Sequence, residues 1–180
     1  MIPPNEPQNP DLVINRNLLT STQELIDYCT HKPKLWIPII GISWFWVIGL
    51  IYTSNLPNFV QFDLGYSSSV VALIQAIFTI GIALGSFSAN IILRGRINAR
   101  FVPISLFFLA MFSLHLTSIT VPSFNELQTL SVFLSTPSSY FVMMDMLFIA
   151  ISAGIFVVPL YAILQKNSSL DRCAQIMAAS

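Results

Sequence analysis

Arg94-Gly-Arg-Ile-Asn-Ala-Arg100 sets three cations between two long runs that are almost free of charge, and its reading decides the fold. The run before it, Tyr66 to Leu93, holds no charged residue, and the run after it, Phe101 to Pro122, has His115 as its only titratable group. At 1.5 Å rise per residue, about 20 apolar residues cross a bilayer core of roughly 30 Å, so each run reads as a membrane-spanning helix. The three arginines between them then mark the side of the membrane on which this connection stays.

Composition points the same way. Of the 180 residues, 54% are hydrophobic and only 9% charged, and the mean hydropathy is +0.72. Such a chain is too apolar for an ordinary soluble domain and reads as an integral membrane protein. The formal net charge of zero carries no message about partners; the placement of the charges does. Cys29 and Cys173 are too few and too far apart for a disulfide framework or a metal site. The first ten residues are polar and Pro-rich with no apolar core, so no signal peptide is expected and targeting falls to the first span.

From the N-terminus, residues 1–34 form a cytoplasmic lead-in, Pro-rich and disordered at first. A short surface helix is expected at Ser21 to Tyr28, where Thr20-Ser21-Thr22 precedes Glu24 in a capping arrangement. The membrane domain covers 35–180, with spans expected at 35–52, 68–93, 101–120 and 139–164. Pro38 is read in the first turn of the first span, where a missing amide is tolerated, with Trp36 as an interfacial anchor. The polar stretch Thr53 to Gly65 reads as a connection carrying one acid, Asp63, and the Ser/Thr-rich stretch Val121 to Ser138 as another carrying only Glu126. In the second span Gly81, Gly85 and Ala89 recur every four residues, a face of small side chains on which another helix can pack closely. Gly154 and Pro159 predict a bend in the fourth.

All eight Lys and Arg residues fall before the first span (Arg16, Lys32, Lys34), between the second and third (Arg94, Arg96, Arg100) or after the fourth (Lys166, Arg172). Four spans with both termini in the cytoplasm put every one of them on the positive side; three or five spans do not. Within the spans Asp145 is the only acid or base with a full charge. A carboxylate there costs roughly 2.5–3.5 kcal/mol on insertion scales, so it is expected to face the bundle interior, a cavity or a partner, or to be protonated. Its own helical neighbours Phe141, Met144, Phe148 and Ile149 offer no hydrogen bond, which leaves His115 and Gln75 of other spans as candidate partners. These three are the pathway or proton-linked candidates; a satisfied structural hydrogen bond is the plainer role for them.

Phosphate-binding Gly-rich loops, paired Cys or His at metal spacing and a Gly-x-Ser-x-Gly elbow are missing from the sequence. So is a His-x-x-x-x-Asp pair, since Trp36 and Thr120 stand five residues past His31 and His115. No catalytic residue, metal or cofactor is expected. Nucleic acid is not an expected partner either, because topology already accounts for the basic loop.

Six patches together carry a resemblance: Gly41-Ile-Ser-Trp-Phe-Trp-Val-Ile-Gly, Leu56-Pro-Asn-Phe, Gly81-Ile-Ala-Leu-Gly-Ser, Gly95-Arg-Ile-Asn-Ala-Arg-Phe-Val-Pro, Val158-Pro-Leu-Tyr-Ala-Ile-Leu-Gln and Arg172-Cys-Ala-Gln-Ile-Met-Ala-Ala. In this order they resemble the lysophospholipid transporter branch of the major facilitator superfamily. That branch also occurs as the membrane domain fused to 2-acylglycerophosphoethanolamine acyltransferase and an acyl-carrier-protein synthetase. The resemblance covers the chain from about Leu35 onward. It implies a partial major facilitator fold, the first four helices of the C-terminal half of a twelve-helix carrier, with residues 1–34 drawn from its central cytoplasmic loop. The implied function is a share in moving lysophospholipid across a bacterial inner membrane, with the remaining carrier helices or further copies of this chain as partners. It also implies a conformation-holding role for the loop of Arg94, Gly95, Arg96 and Arg100, and an acid at the place of Asp145. Carriers of this type form their pathway between two pseudo-symmetric halves, so four helices alone are not expected to enclose one. The competing expectations are a membrane anchor of a split or truncated acyltransferase-synthetase, and a small standalone membrane protein that oligomerises.

The orientation is directly testable. Cysteines introduced at Asn58 and Ser131 are expected to react with a membrane-impermeant thiol reagent added outside intact cells, and one at Asn98 to stay unlabelled; labelling at Asn98 excludes this topology.

Overall fold

The computed structural model describes residues 32–93, 100–119 and 126–168. Residues 1–31 of the lead-in with its expected helix at Ser21 to Tyr28, the loop residues Arg94, Gly95 and Arg96, and Arg172 lie outside them. The described residues form α1 (Pro33–Asn58), continued by a π-helical turn (Phe59–Asp63), then α2 (Ser68–Leu93), α3 (Phe101–Ser118), a short α4 (Leu130–Ser135) and α5 (Pro137–Asn167). Four of these segments are long and apolar enough to cross a membrane, namely 33–63, 68–93, 101–118 and 137–167, with mean hydropathies of 1.9, 2.2, 1.7 and 2.5 over an 18-residue window of each. No strand forms among the described residues, where Tyr66 and Gln128 make an isolated bridge. The chain is an all-α, multi-pass membrane protein.

The first span is longer than its composition announces. Instead of ending at Tyr52 it stays helical to Asp63, through most of the stretch read as a polar connection. The polar side chains there are absorbed by the helix itself: Thr53 Oγ1 donates to Gly49 O at 2.9 Å and Asn55 Nδ2 to Ile51 O at 2.8 Å. Leu56 and Val60, four residues apart, meanwhile keep an apolar stripe on the core. Pro57 brings no amide to the helix. Two residues on, the Phe59 amide is shared between Asn55 O and Leu56 O, and the wider turn that follows closes with Leu64 N–H on Phe59 O at 3.0 Å. Gly65, at φ 70°, then lets the chain turn away. At the other end Pro33 occupies the first helical turn, so Pro38 lies one turn deeper than expected, inside the helix. The remaining span ends shift less: α3 stops at Ser118, and α5 runs from Pro137 to Asn167 as one continuous α-helix through Gly154 and Pro159.

α5 is the axis of the bundle. Of its most apolar window 56% is buried, against 11–22% in the other three spans. Two apolar clusters clamp it to its neighbours. One, around Leu35, Ile42, Phe156, Leu160 and Leu164, joins the start of α1 to the end of α5, with Val102 of α3 packed against it. The other, around Leu56, Val60, Tyr66, Ile74, Leu116, Phe133 and Met146, closes the opposite end. The described cations Lys32, Lys34, Arg100 and Lys166 all sit at helix ends beside the first cluster, while Asp63, Glu126 and Asp145 lie toward the second.

Between the clusters α2 crosses α5 at van der Waals contact. A Cβ on Gly81 would stand 2.6 Å from Ala150 Cβ, one on Gly85 would run into the Ile151 carbonyl, and one on Gly154 would lie 2.7 Å from Ile82 O. The small-residue face read from Gly81, Gly85 and Ala89 is therefore the α2–α5 seam, with all three buried. Gly49, on α1, has nothing within 4 Å of a built Cβ. Gly85→Leu and Gly154→Leu are each expected to destabilise the folded chain by at least about 1–3 kcal/mol, since backbone stands in the way and overpacking forces the helices apart. Gly49→Leu is expected to leave stability unchanged. Thermal unfolding in detergent separates the two classes, and equal melting of all three variants contradicts the seam.

Candidate functional site

Asp145 and His115 meet. His115 Nδ1 lies 2.7 Å from Asp145 Oδ2, joining α3 to α5. The placement follows from helical periodicity: Val142, Asp145, Met146 and Ile149 are the buried positions of this part of α5, spaced three and four apart, so Asp145 shares the face that the apolar core requires. α3 runs antiparallel to α5, which brings its last turn alongside the third turn of α5. One turn deeper Phe112 stacks on Phe148 with ring centroids 4.8 Å apart and planes 15° apart, fixing the spacing of the two helices. On the outer side Phe141 approaches the His115 ring edge-on, centroids 6.4 Å apart. Aromatic rings thus flank the polar pair on both sides.

The two partners differ in environment. The Asp145 side chain is 4% exposed, that of His115 53%. A carboxylate so enclosed needs its partner, and the histidine is the member of the pair that reaches the bundle surface. The bond needs one proton between Nδ1 and Oδ2, supplied either by the imidazole N–H or by a carboxylic O–H. Among the described residues no third His, Cys, Asp or Glu gathers with them into a metal-binding group.

Gln75, the other candidate partner, does not join the pair. It borders a small gap with Tyr52, Leu56, Phe78 and Met146, on the α1 side of the bundle. Arg100 stands at the N-terminal end of α3, at the basic end of the bundle.

Sequence reasoning missed a second feature. A cavity of about 210 Å³ opens between α1 and α3, floored by α2 and α5 and lined by Phe45, Tyr52, Phe78, Leu109, Ala153 and Phe156 among others. Near one end of it the Tyr52 hydroxyl and Ser113 Oγ are 2.6 Å apart and bridge α1 to α3. The signal available was two hydroxyl-bearing residues inside otherwise apolar runs, but nothing in their spacing pairs them across 61 positions.

Compared with protein-family models, curated proteins and solved structures, the chain matches none.

The pair lends itself to a double-mutant cycle. His115→Leu leaves a buried carboxylate without its partner and is expected to cost about 3–5 kcal/mol. The double variant His115→Leu/Asp145→Leu removes both groups and is expected to recover most of that loss. With Asp145→Leu completing the cycle, a double-variant loss equal to the sum of the two single losses, measured by unfolding in detergent, shows that the two residues do not interact.

Proposed function

We propose that this chain is a segment of a transmembrane carrier for amphipathic lipid, of the lysophospholipid transporter branch of the major facilitator superfamily, in a bacterial inner membrane with both ends of the membrane domain facing the cytoplasm. The observation that carries the reading is the Asp145–His115 pair at 2.7 Å inside a membrane-spanning bundle. Ionisable groups in spans are expensive, and those that face a bundle interior mark substrate and proton pathways in membrane carriers. The apolar, aromatic-lined cavity between α1 and α3 supports the lipid half of the proposal, since its walls match an alkyl chain. The charge layout supports the orientation: the four described cations lie at one end of the bundle, as the positive-inside rule requires of a cytoplasmic face. In this reading Asp145 and His115 respond to the passage of a head group or a proton, and the rest of the pathway comes from helices outside the described bundle.

The test is lipid movement in membranes containing the complete carrier. Asp145→Asn keeps the side chain's shape and removes its charge, so normal insertion is expected together with uptake of fluorescent lysophosphatidylethanolamine lowered at least about tenfold, the loss of one charge-assisted contact. Wild-type uptake by Asp145→Asn removes this residue from the mechanism.

A further inference from the structure

The cavity between α1 and α3 has a polar cap whose chemistry is more selective than its walls. Gly49, Phe78, Leu109 and Ala153, one from each span, line it within three residues of the middles of their spans. It therefore lies at mid-membrane and takes its occupant from hydrocarbon, since apolar cavities of about 150 Å³ already stay dry and take up apolar molecules. Gly49 keeps it open, because a Cβ built there meets nothing within 4 Å. α3 is tied across the cavity at both ends, by Val102 to the cluster that joins α1 to α5 and by Ser113 to Tyr52. The two ties stand roughly 16 Å apart along α3 at 1.5 Å per residue. That is the depth of one leaflet's chains in a hydrocarbon core of roughly 30 Å, so the space suits a single extended alkyl chain.

Proton counting fixes what the cap accepts. Ser113 Oγ has one proton and donates it to Leu109 O at 2.7 Å. The proton in the 2.6 Å contact between Tyr52 and Ser113 is therefore the phenol's. With both hydroxyl protons spent, the two oxygens still offer lone pairs, which bind a hydrogen-bond donor such as an alcohol O–H. An ester, carboxylate or phosphate oxygen meets repulsion there. Two other polar side chains of the wall are engaged as well: Thr53 Oγ1 donates to Gly49 O, and Trp46 Nε1 to the Tyr161 hydroxyl. Depth adds a second selection. Tyr52 and Ser113 stand roughly 4–6 Å along their helices from Gly49 and Leu109, far deeper than a lipid at rest in a bilayer carries its hydroxyls.

We propose that this cavity holds a single-chain amphiphile in the middle of its crossing, with the alkyl chain between α1 and α3 and a hydroxyl donating to the Tyr52–Ser113 pair. The proposal rests on the transport reading for why a hydroxyl lies so deep. It adds to that reading a place for the chain and a selection by proton: the cap favours a free hydroxyl next to the chain by about fivefold, the worth of one neutral hydrogen bond.

The experiment uses the full chain in vesicles of diacyl phosphatidylcholine and two photoreactive probes with the same diazirine-bearing acyl chain, a monoacylglycerol and a methyl ester. Adducts are mapped by mass spectrometry to Ala153 and Phe156, which line the cavity but are buried from bulk lipid. Labelling there by the monoacylglycerol is expected to saturate, to be displaced by unlabelled monoacylglycerol and to exceed that by the methyl ester about fivefold. Ser113→Ala returns the Tyr52 proton to the cap, so it is expected to raise methyl ester labelling until the two probes are equal; a merely structural loss lowers both. Gly49→Leu is expected to abolish saturable labelling, whereas Val47→Leu, on an exposed position of α1 outside the cavity, keeps it. Absent or unsaturable labelling in the wild-type chain overturns the site and leaves the cavity to a protein segment or to bulk lipid. Equal wild-type labelling by the two probes overturns the selection by proton, and should Ser113→Ala fail to fold, this comparison decides by itself. Saturable labelling in a carrier that moves no lipid upholds the site and counts against transport; lipid movement without saturable labelling overturns the site alone.

Discussion

The close approach of α2 and α5 at Gly85 and Gly154 is the contact on which the rest of the bundle depends. Lipid tails are as apolar as leucine, so burying apolar side chains between helices gains little in a membrane, and association falls to van der Waals contact at short range. Two glycines facing each other bring backbone against backbone there. Once α2 is seated, α5 has a fixed rotation about its own axis. That rotation decides that Asp145 points inward, that Phe148 meets Phe112 and that Leu160 lies over Gly41 of α1.

The buried acid sits at odds with packing for its own sake. A leucine at 145 would fill the same space without desolvating a charge, and replacing buried ion pairs by apolar residues often stabilises a protein. The pair is held in a well-ordered setting all the same, between two aromatic contacts and with the imidazole half-exposed. Enclosure of the acid and access to the histidine give the pair an inside and an outside. Such asymmetry has little use in a purely structural hydrogen bond, and for that reason the pair, more than the cavity, supports the transport reading.

Much of the architecture was legible in the sequence because bilayers impose a simple length and polarity rule. The number of spans and their helical class follow from apolar runs and the placement of Lys and Arg. The Gly81–Gly85–Ala89 face and the His115 partner for Asp145 were legible too, since a four-residue period and the depth of a residue in its span are both properties of sequence. The length of the first span was hidden because polar residues that return their hydrogen bonds to their own helix look like loop. Thr53 and Asn55 return their hydrogen bonds to α1, so the helix continues where composition argued for a connection. Tyr52 and Ser113 meet only because α1 and α3 flank the same neighbours, a fact about packing that no single run contains.

The seam between the two non-basic connections has a bearing on how the chain assembles. Ser67 N–H bonds Gln128 O and Gln128 N–H bonds Gly65 O, each at 2.9 Å, and Tyr66 beside them is fully buried against Phe133. In the fold the spans form two hairpins, α1–α2 and α3–α5, and this stitch joins the link within one to the link within the other. Its second half comes from the link that follows α3, since Gln128 and Phe133 lie between α3 and α5. Without that link Tyr66 has no pocket and the Gly65 carbonyl no donor from Gln128. The stitch therefore ties the register of one hairpin to that of the other at this end of the bundle.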